Sequence, residues 1–149
     1  MESFTWTLRV TAARGERATV FVRKHRFEVG APAHFDEAYE EVTALEYALG
    51  AVGADLVNGL RLIARGRHID IDRVEALVDG ELDDPLAYAG VIGAAGHPGI
   101  RRIRVTVYAE TPVAAGTVEA LWKEARARSP LVRTLERTVE LDLRLKVTT

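Results

Sequence analysis

The stretch Thr43 to Ala64 reads T-A-L-E-Y-A-L-G-A-V-G-A-D-L-V-N-G-L-R-L-I-A. Apolar residues recur there at helical spacing on more than one face, so the segment is predicted to be a single long helix enclosed by protein on most sides. Thr43 with Glu46 fits the capping-box pattern, in which each side chain satisfies a backbone N–H of the other. Gly66 is a natural stop beyond Arg65. At ~1.5 Å per residue the helix is roughly 33 Å long. Leu45, Leu49, Val52, Leu56, Leu60 and Ile63 form a bulky stripe; Ala44, Ala48, Ala51, Asp55, Asn58 and Leu62 form a stripe of mostly small residues. Asp55 is the anomaly. A carboxylate in the middle of an apolar helix is costly unless it is paired, protonated or used.

With Glu46, Asp55, Asn58 and Arg61 along it, the segment is a poor membrane span. The opening M-E-S-F-T-W-T-L-R-V has no basic region followed by an apolar run, so no signal peptide is expected there. A length of 149 residues suits a single domain over 1–149. The net charge of −2 argues against a general nucleic-acid binder. The sequence contains no cysteine, which removes disulfides, thiolate nucleophiles and cysteine-based metal sites. That is consistent with a cytoplasmic location.

Alternation predicts strands over Phe4 to Ala12, Ala18 to Val22 and Arg26 to Val29, with a turn at Ala13 to Glu16. Gly30 to Glu41 reads as loop. Further strands are expected at Arg73 to Leu82, Arg101 to Ala109 and Val139 to Val147. The segment Asp83 to Gly99 is a long glycine- and alanine-rich connection of the kind that forms Ω-like excursions. Thr111-Pro112 fits an N-cap and first helical position, and the helix that follows to about Arg128 would bury Val118, Leu121, Trp122 and Ala125. Ser129-Pro130 starts a short helix, Leu131 to Arg137. Strands and helices are partly segregated, which predicts an α+β fold.

No phosphate-cradling glycine loop and no H-E-x-x-H motif occurs. His68, Asp70 and Asp72 alternate along one segment, but this reads as strand entry rather than a metal site. No metal and no cofactor is expected. Asp79, Glu81, Asp83 and Asp84 read as a solvated strand end, His97 as a turn residue, and Arg101, Arg102 and Arg104 as a solvated strand face. Arg23-Lys24-His25-Arg26 reads as surface charge. The pair to weigh is Asp55 with Asn58. One turn apart, these residues share a helix face and can reach one ligand or each other. The alternative is a buried carboxylate held by an arginine or by backbone donors.

Two segments carry a resemblance. Leu45 to Leu56, L-E-Y-A-L-G-A-V-G-A-D-L, resembles the central-helix motif of the OsmC/Ohr family, the osmotically inducible and organic-hydroperoxide-resistance proteins. In that motif a glutamate and a small-residue run lead to a cysteine. Glu46 matches the glutamate, and Asp55 falls on the peroxidatic cysteine. Ala127 to Val132, A-R-S-P-L-V, resembles the family's second motif, with Ser129 on the resolving cysteine. The resemblance implies an OsmC-like α+β fold with antiparallel sheets around a long central helix. It also implies an intertwined homodimer with pockets near the subunit interface.

Thiol peroxidase chemistry does not transfer, because a carboxylate and a hydroxyl cannot form and resolve a sulfenic acid. What remains is a homodimer binding a small apolar or anionic ligand, with Glu46, Asp55, Asn58 and Ser129 as candidate ligand-binding residues. The competing readings are a structural or interaction homodimer, and an enzyme of changed chemistry, hydrolase-like, using Asp55 or Ser129. The last lacks an activating histidine near either residue in the sequence.

Overall fold

The computed structural model describes residues 4–149. Positions 1–3, the start of the segment expected to carry no leader, lie outside the described residues. The chain divides into two units, Met1–Ala48 and Leu49–Thr149, and the division falls inside the long helix.

The first unit carries an antiparallel sheet of β1 (Arg9–Thr11), β2 (Ala18–Val22) and β3 (His25–Val29), in that order. β1 is shorter than the alternation from Phe4 predicts: pairing with β2 starts at Arg9↔Phe21, and Phe4, Trp6, Leu8 and Val10 are exposed. The register sets Val10, Val20 and Phe27 in line across the sheet. Gly15 takes φ +77° in the first turn, a conformation open to glycine at little cost. Arg23 and Lys24 form the two-residue turn between β2 and β3, so half of the basic cluster is hairpin tip.

The loop after β3 is tied down rather than free. The Tyr39 hydroxyl accepts from Ala31 N at 2.9 Å and donates to Glu41 Oε2 at 3.0 Å. Arg17 bridges Glu28 and Glu41, each at 2.9 Å. Gly30 is needed here, since a Cβ on it would lie 2.6 Å from the Tyr39 hydroxyl.

α1 (Ala44–Gly66) opens with the expected capping box. Glu46 N donates to Thr43 Oγ1 at 3.1 Å, and Thr43 N donates to Glu46 Oε1 at 2.9 Å. The Thr43 hydroxyl adds a third bond to the same carboxylate at 2.8 Å. These bonds, the backbone one foremost, hold the Glu46 carboxyl below its ordinary value of 4.5. A depressed carboxyl favours the fold above its unfolded pKa and loses that contribution as pH falls through the folded value. The cap should therefore weaken only in acid. Thr43→Ala should destabilise the protein by ~1 kcal/mol at neutral pH. Chemical denaturation at pH 7 and below pH 4 checks both statements: the penalty should shrink in acid, and an equal penalty at both pH values would contradict the role given to Glu46.

The second unit holds β4 (Arg73–Leu82), β5 (Ile100–Glu110) and β6 (Glu140–Thr148) in that order. β4 and β5 are antiparallel, as expected, but β6 runs parallel to β5, so this sheet is mixed. The expectation of purely antiparallel sheets is corrected at this one strand. Parallel neighbours need a crossover, and α3 (Ala115–Arg128) and α4 (Pro130–Leu135) supply it.

The core sits between this sheet and the helices. Val52, Leu56, Leu60 and Ile63 of α1 pack with Ile103, Val105 and Val107 of β5 and with Leu121, Trp122 and Ala125 of α3. Gly53 permits close contact with β4, because a Cβ there would lie 2.7 Å from Val78 Cγ2. The remaining side of α1 is open in the single chain, contrary to the enclosure predicted from its composition. Ala51, Ala54 and Asn58 are exposed, and Leu62 is 65% exposed.

One local expectation is corrected and one is refined. Thr111 does not cap α3, which starts at Ala115 with no side-chain cap. Thr111 is buried instead: its hydroxyl donates to Asp70 O at 2.7 Å and accepts from Val113 N at 3.1 Å, fastening the end of β5 to the segment before β4. The connection 83–99 contains a short helix, α2 (Pro85–Tyr88), capped by Asp84, whose Oδ1 accepts from Leu86 N and Ala87 N. Asp83 N to Gly99 O (2.9 Å) and Asp84 N to His97 O (3.0 Å) close its base, as an Ω-like excursion requires. Among the described residues, no helix is long and apolar enough to cross a membrane.

Candidate functional site

Asp55 lies at the edge of the buried stripe of α1, half-buried between Val52 and Leu56. Ser129 stands where α3 ends and α4 begins, in an extended conformation (φ −72°, ψ 118°). Proline at position 130 cannot continue α3 and is pre-set for the first turn of α4, so the junction is fixed by local sequence. The Ser129 hydroxyl accepts from Val132 N at 3.0 Å, a standard cap bond.

That same hydroxyl donates to Asp55 Oδ2 at 2.7 Å. Leu131 N donates to the same oxygen at 3.2 Å. Residues 74 and 76 positions apart in the chain thus meet on one carboxylate oxygen. Asp55 takes up an amide at the start of α4 that has no partner within the helix. The costly carboxylate is therefore held by a hydroxyl and a backbone donor, and no arginine is among its partners in the described residues. Asp55 Oδ1 has no hydrogen-bond partner among the described residues.

Beside this pair lies a cleft of about 300 Å³. Asp55, Asn58, Gly59, Leu62 and Ile63 of α1 form one wall; Ala125, Arg128, Ser129 and Pro130 form the other. The structure thus brings Asp55, Asn58 and Ser129 to one cavity. Asn58 does not bond to Asp55; it is exposed at the margin. Glu46 does not line this cavity and is engaged in the helix cap. Arg128 was not singled out by sequence reasoning, nor was Gly59. Both had a signal: Gly59 and Leu62 follow Asp55 at helical spacing, and Arg128 adjoins Ser129.

The arrangement limits the chemistry. Ser129 is 2% exposed and its hydroxyl both donates and accepts within the fold. A serine nucleophile needs an exposed oxygen and a base to take its proton, with the base held in turn. No histidine lines the cleft.

Several other candidate groups are engaged elsewhere. Arg104 pairs with Asp142 at 3.0 Å, Arg102 with Glu140 at 3.4 Å, and Arg101 with Glu81, as cross-strand ion pairs. His97 Nδ1 accepts from Gly99 N at 3.0 Å. His68 sits in a turn with φ +56°, and no group of three metal-ligating side chains occurs among the described residues.

The architecture and this site define an OsmC-like protein. A sequence model of the OsmC-like protein family matches residues 36–144, and the chain belongs to that family. Solved structures agree in fold. An OsmC-like protein from Mycoplasma pneumoniae superposes with a TM-score of 0.81 at 13% identity, covering 99% of this chain and 100% of that one. An organic hydroperoxide resistance protein from Legionella pneumophila gives 0.70 at 14% identity over 99% and 100%. A putative organic hydroperoxide resistance protein from Vibrio cholerae, with captopril bound in one of its active sites, gives 0.66 at 12% over 96% and 93%. No curated protein matches the chain.

Proposed function

We propose that this chain is an OsmC-like homodimer that has left thiol peroxidase chemistry and binds a small, mainly apolar ligand in the cleft beside Asp55. The observation that carries this reading is the Asp55–Ser129 hydrogen bond at 2.7 Å. By resemblance, these two positions are the family's redox cysteines. Here they form a fixed polar contact in the lining of a mostly apolar cleft.

Without cysteine there is no thiolate to attack a peroxide and no second thiol to resolve the product. The captopril in the Vibrio cholerae protein supports a drug-sized molecule fitting a related site. Of the two ligand classes expected, the apolar one is favoured, since the Asp55 carboxylate in the lining repels an anion. The exposed Ala51 and Ala54 of α1 and the exposed Trp6, Leu8 and Val10 support self-association, by which such surface is covered. A hydrolase using Ser129 is disfavoured because its hydroxyl is buried and doubly engaged.

Native mass spectrometry of the purified protein tests dimer and ligand together. The expected result is a dimer mass with a small adduct released on activation, and no hydroperoxide turnover in a thiol-coupled assay. A monomer with no adduct would overturn the assembly and leave the cleft without a ligand. Robust turnover would refute the loss of peroxidase chemistry.

A further inference from the structure

We infer that the cleft selects a small primary amine: an ammonium group on a short apolar tail, with the ammonium on Asp55. This rests on the reading that the cleft binds a ligand, and deepens it by naming the head group.

Asp55 receives two bonds, from the Ser129 hydroxyl and from Leu131 N, and both end on Oδ2. Both donors are neutral. No lysine, arginine or histidine forms an ion pair with Asp55 among the described residues. Its other oxygen, Oδ1, is free to accept, and Asp55 lines the cleft. A half-buried carboxylate without a cation gains most from a charged donor, because an ammonium adds Coulombic attraction to the hydrogen bond and a neutral hydroxyl does not.

Arg128, the cation lining the cleft among the described residues, does not fill that role. Arg128 is committed to Glu124, with Nη1 to Oε1 at 3.1 Å, and Arg67 binds the other oxygen of Glu124. Arg128 is thus turned toward Glu124, a carboxylate it shares with Arg67, and both donors on Asp55 are neutral. The remaining surface, from Gly59, Leu62, Ile63, Ala125 and Pro130, offers no polar side chain to a head group and suits an alkyl body. Asn58 at the margin supplies an amide oxygen that can accept a second ammonium proton. A primary ammonium has three donors and can use both acceptors; an alcohol has one donor, and a carboxylate has none.

The test is a calorimetric or NMR titration at pH 7 with three probes of equal chain length: n-hexylamine, 1-hexanol and hexanoate. The amine should bind at least tenfold more tightly than the alcohol, and hexanoate most weakly. Asp55→Asn, which keeps an acceptor for Ser129 and Leu131, should bring amine and alcohol within about threefold of each other. Equal affinities for amine and alcohol in the unaltered protein would overturn the inference while leaving ligand binding intact. Preference for hexanoate would overturn it in favour of recognition by Arg128. Failure of all three probes to bind would instead remove the proposed ligand-binding function itself.

Discussion

Asp55→Ala is expected to destabilise the fold by about 2–4 kcal/mol at pH 7. Alanine removes the acceptor of two donors at once. The Ser129 hydroxyl, 2% exposed, loses its partner, and Leu131 N loses the bond that satisfies the start of α4. A buried donor left unsatisfied costs about 1–3 kcal/mol, and here one buried donor and one half-buried donor are stranded. The sequence alone allowed the opposite sign, since an unpaired buried carboxylate would be a burden whose removal stabilises. The pairing decides the matter, although the partners are a hydroxyl and an amide rather than an arginine. Asp55→Asn retains a carbonyl oxygen at the same place, so its penalty should be about 1 kcal/mol or less. Guanidinium denaturation of the two variants, at one fixed protein concentration because self-association would shift the midpoint, measures both values. An alanine variant as stable as the parent would mean that the Asp55–Ser129–Leu131 contacts carry no stability.

Gly59→Phe is expected to abolish binding in the cleft without harming the fold. Gly59 lines the cavity, and a Cβ built on it meets no atom within 4 Å. Most large substitutions in a helix packed on a sheet meet neighbours; this one meets the cavity. Glycine is also the poorest ordinary residue inside a helix, so the exchange should gain a few tenths of a kcal/mol from helix propensity alone. The ring would occupy space that a ligand needs in a cavity of about 300 Å³. A variant that folds normally and has lost its ligand separates the role of the cleft from the role of the fold. Gly53, six residues earlier, is the contrast: its Cβ would meet Val78, so a bulky residue there should disturb packing instead.

Much of this was legible in the residues. The capping box at Thr43 and Glu46 and the α3 stripe of Val118, Leu121, Trp122 and Ala125 follow from spacing, because local hydrogen bonds and helical periodicity are short-range. Ser129-Pro130 as a helix start is equally local. Where pairing is long-range, the pattern is silent. Alternation at Val139 to Val147 predicted a strand but could not say that it would run parallel to β5. Thr111 has the chemistry of a cap, and tertiary structure spends its hydroxyl on Asp70 instead. Phe4 to Leu8 alternates as a strand would, yet the sheet begins at Arg9, because alternation describes a strand without supplying its neighbour. In the site, Asp55, Asn58 and Ser129 were found from anomaly and resemblance, and they do share one cleft. Leu131 could not be found, since its contribution is a backbone amide, which every residue but proline carries. Glu46 was grouped with them by resemblance and is placed in the cap.

The central claim is that the cleft beside Asp55 is a binding site. The most direct measurement is an amide NMR titration of the protein and of Gly59→Phe with 1-hexanol, an uncharged probe that does not depend on head-group selection. The account predicts saturable shifts in the parent centred on Asn58, Gly59, Arg128 and Ser129, and loss of saturation in the variant. Shifts that never saturate, or that are the same in both proteins, would contradict it.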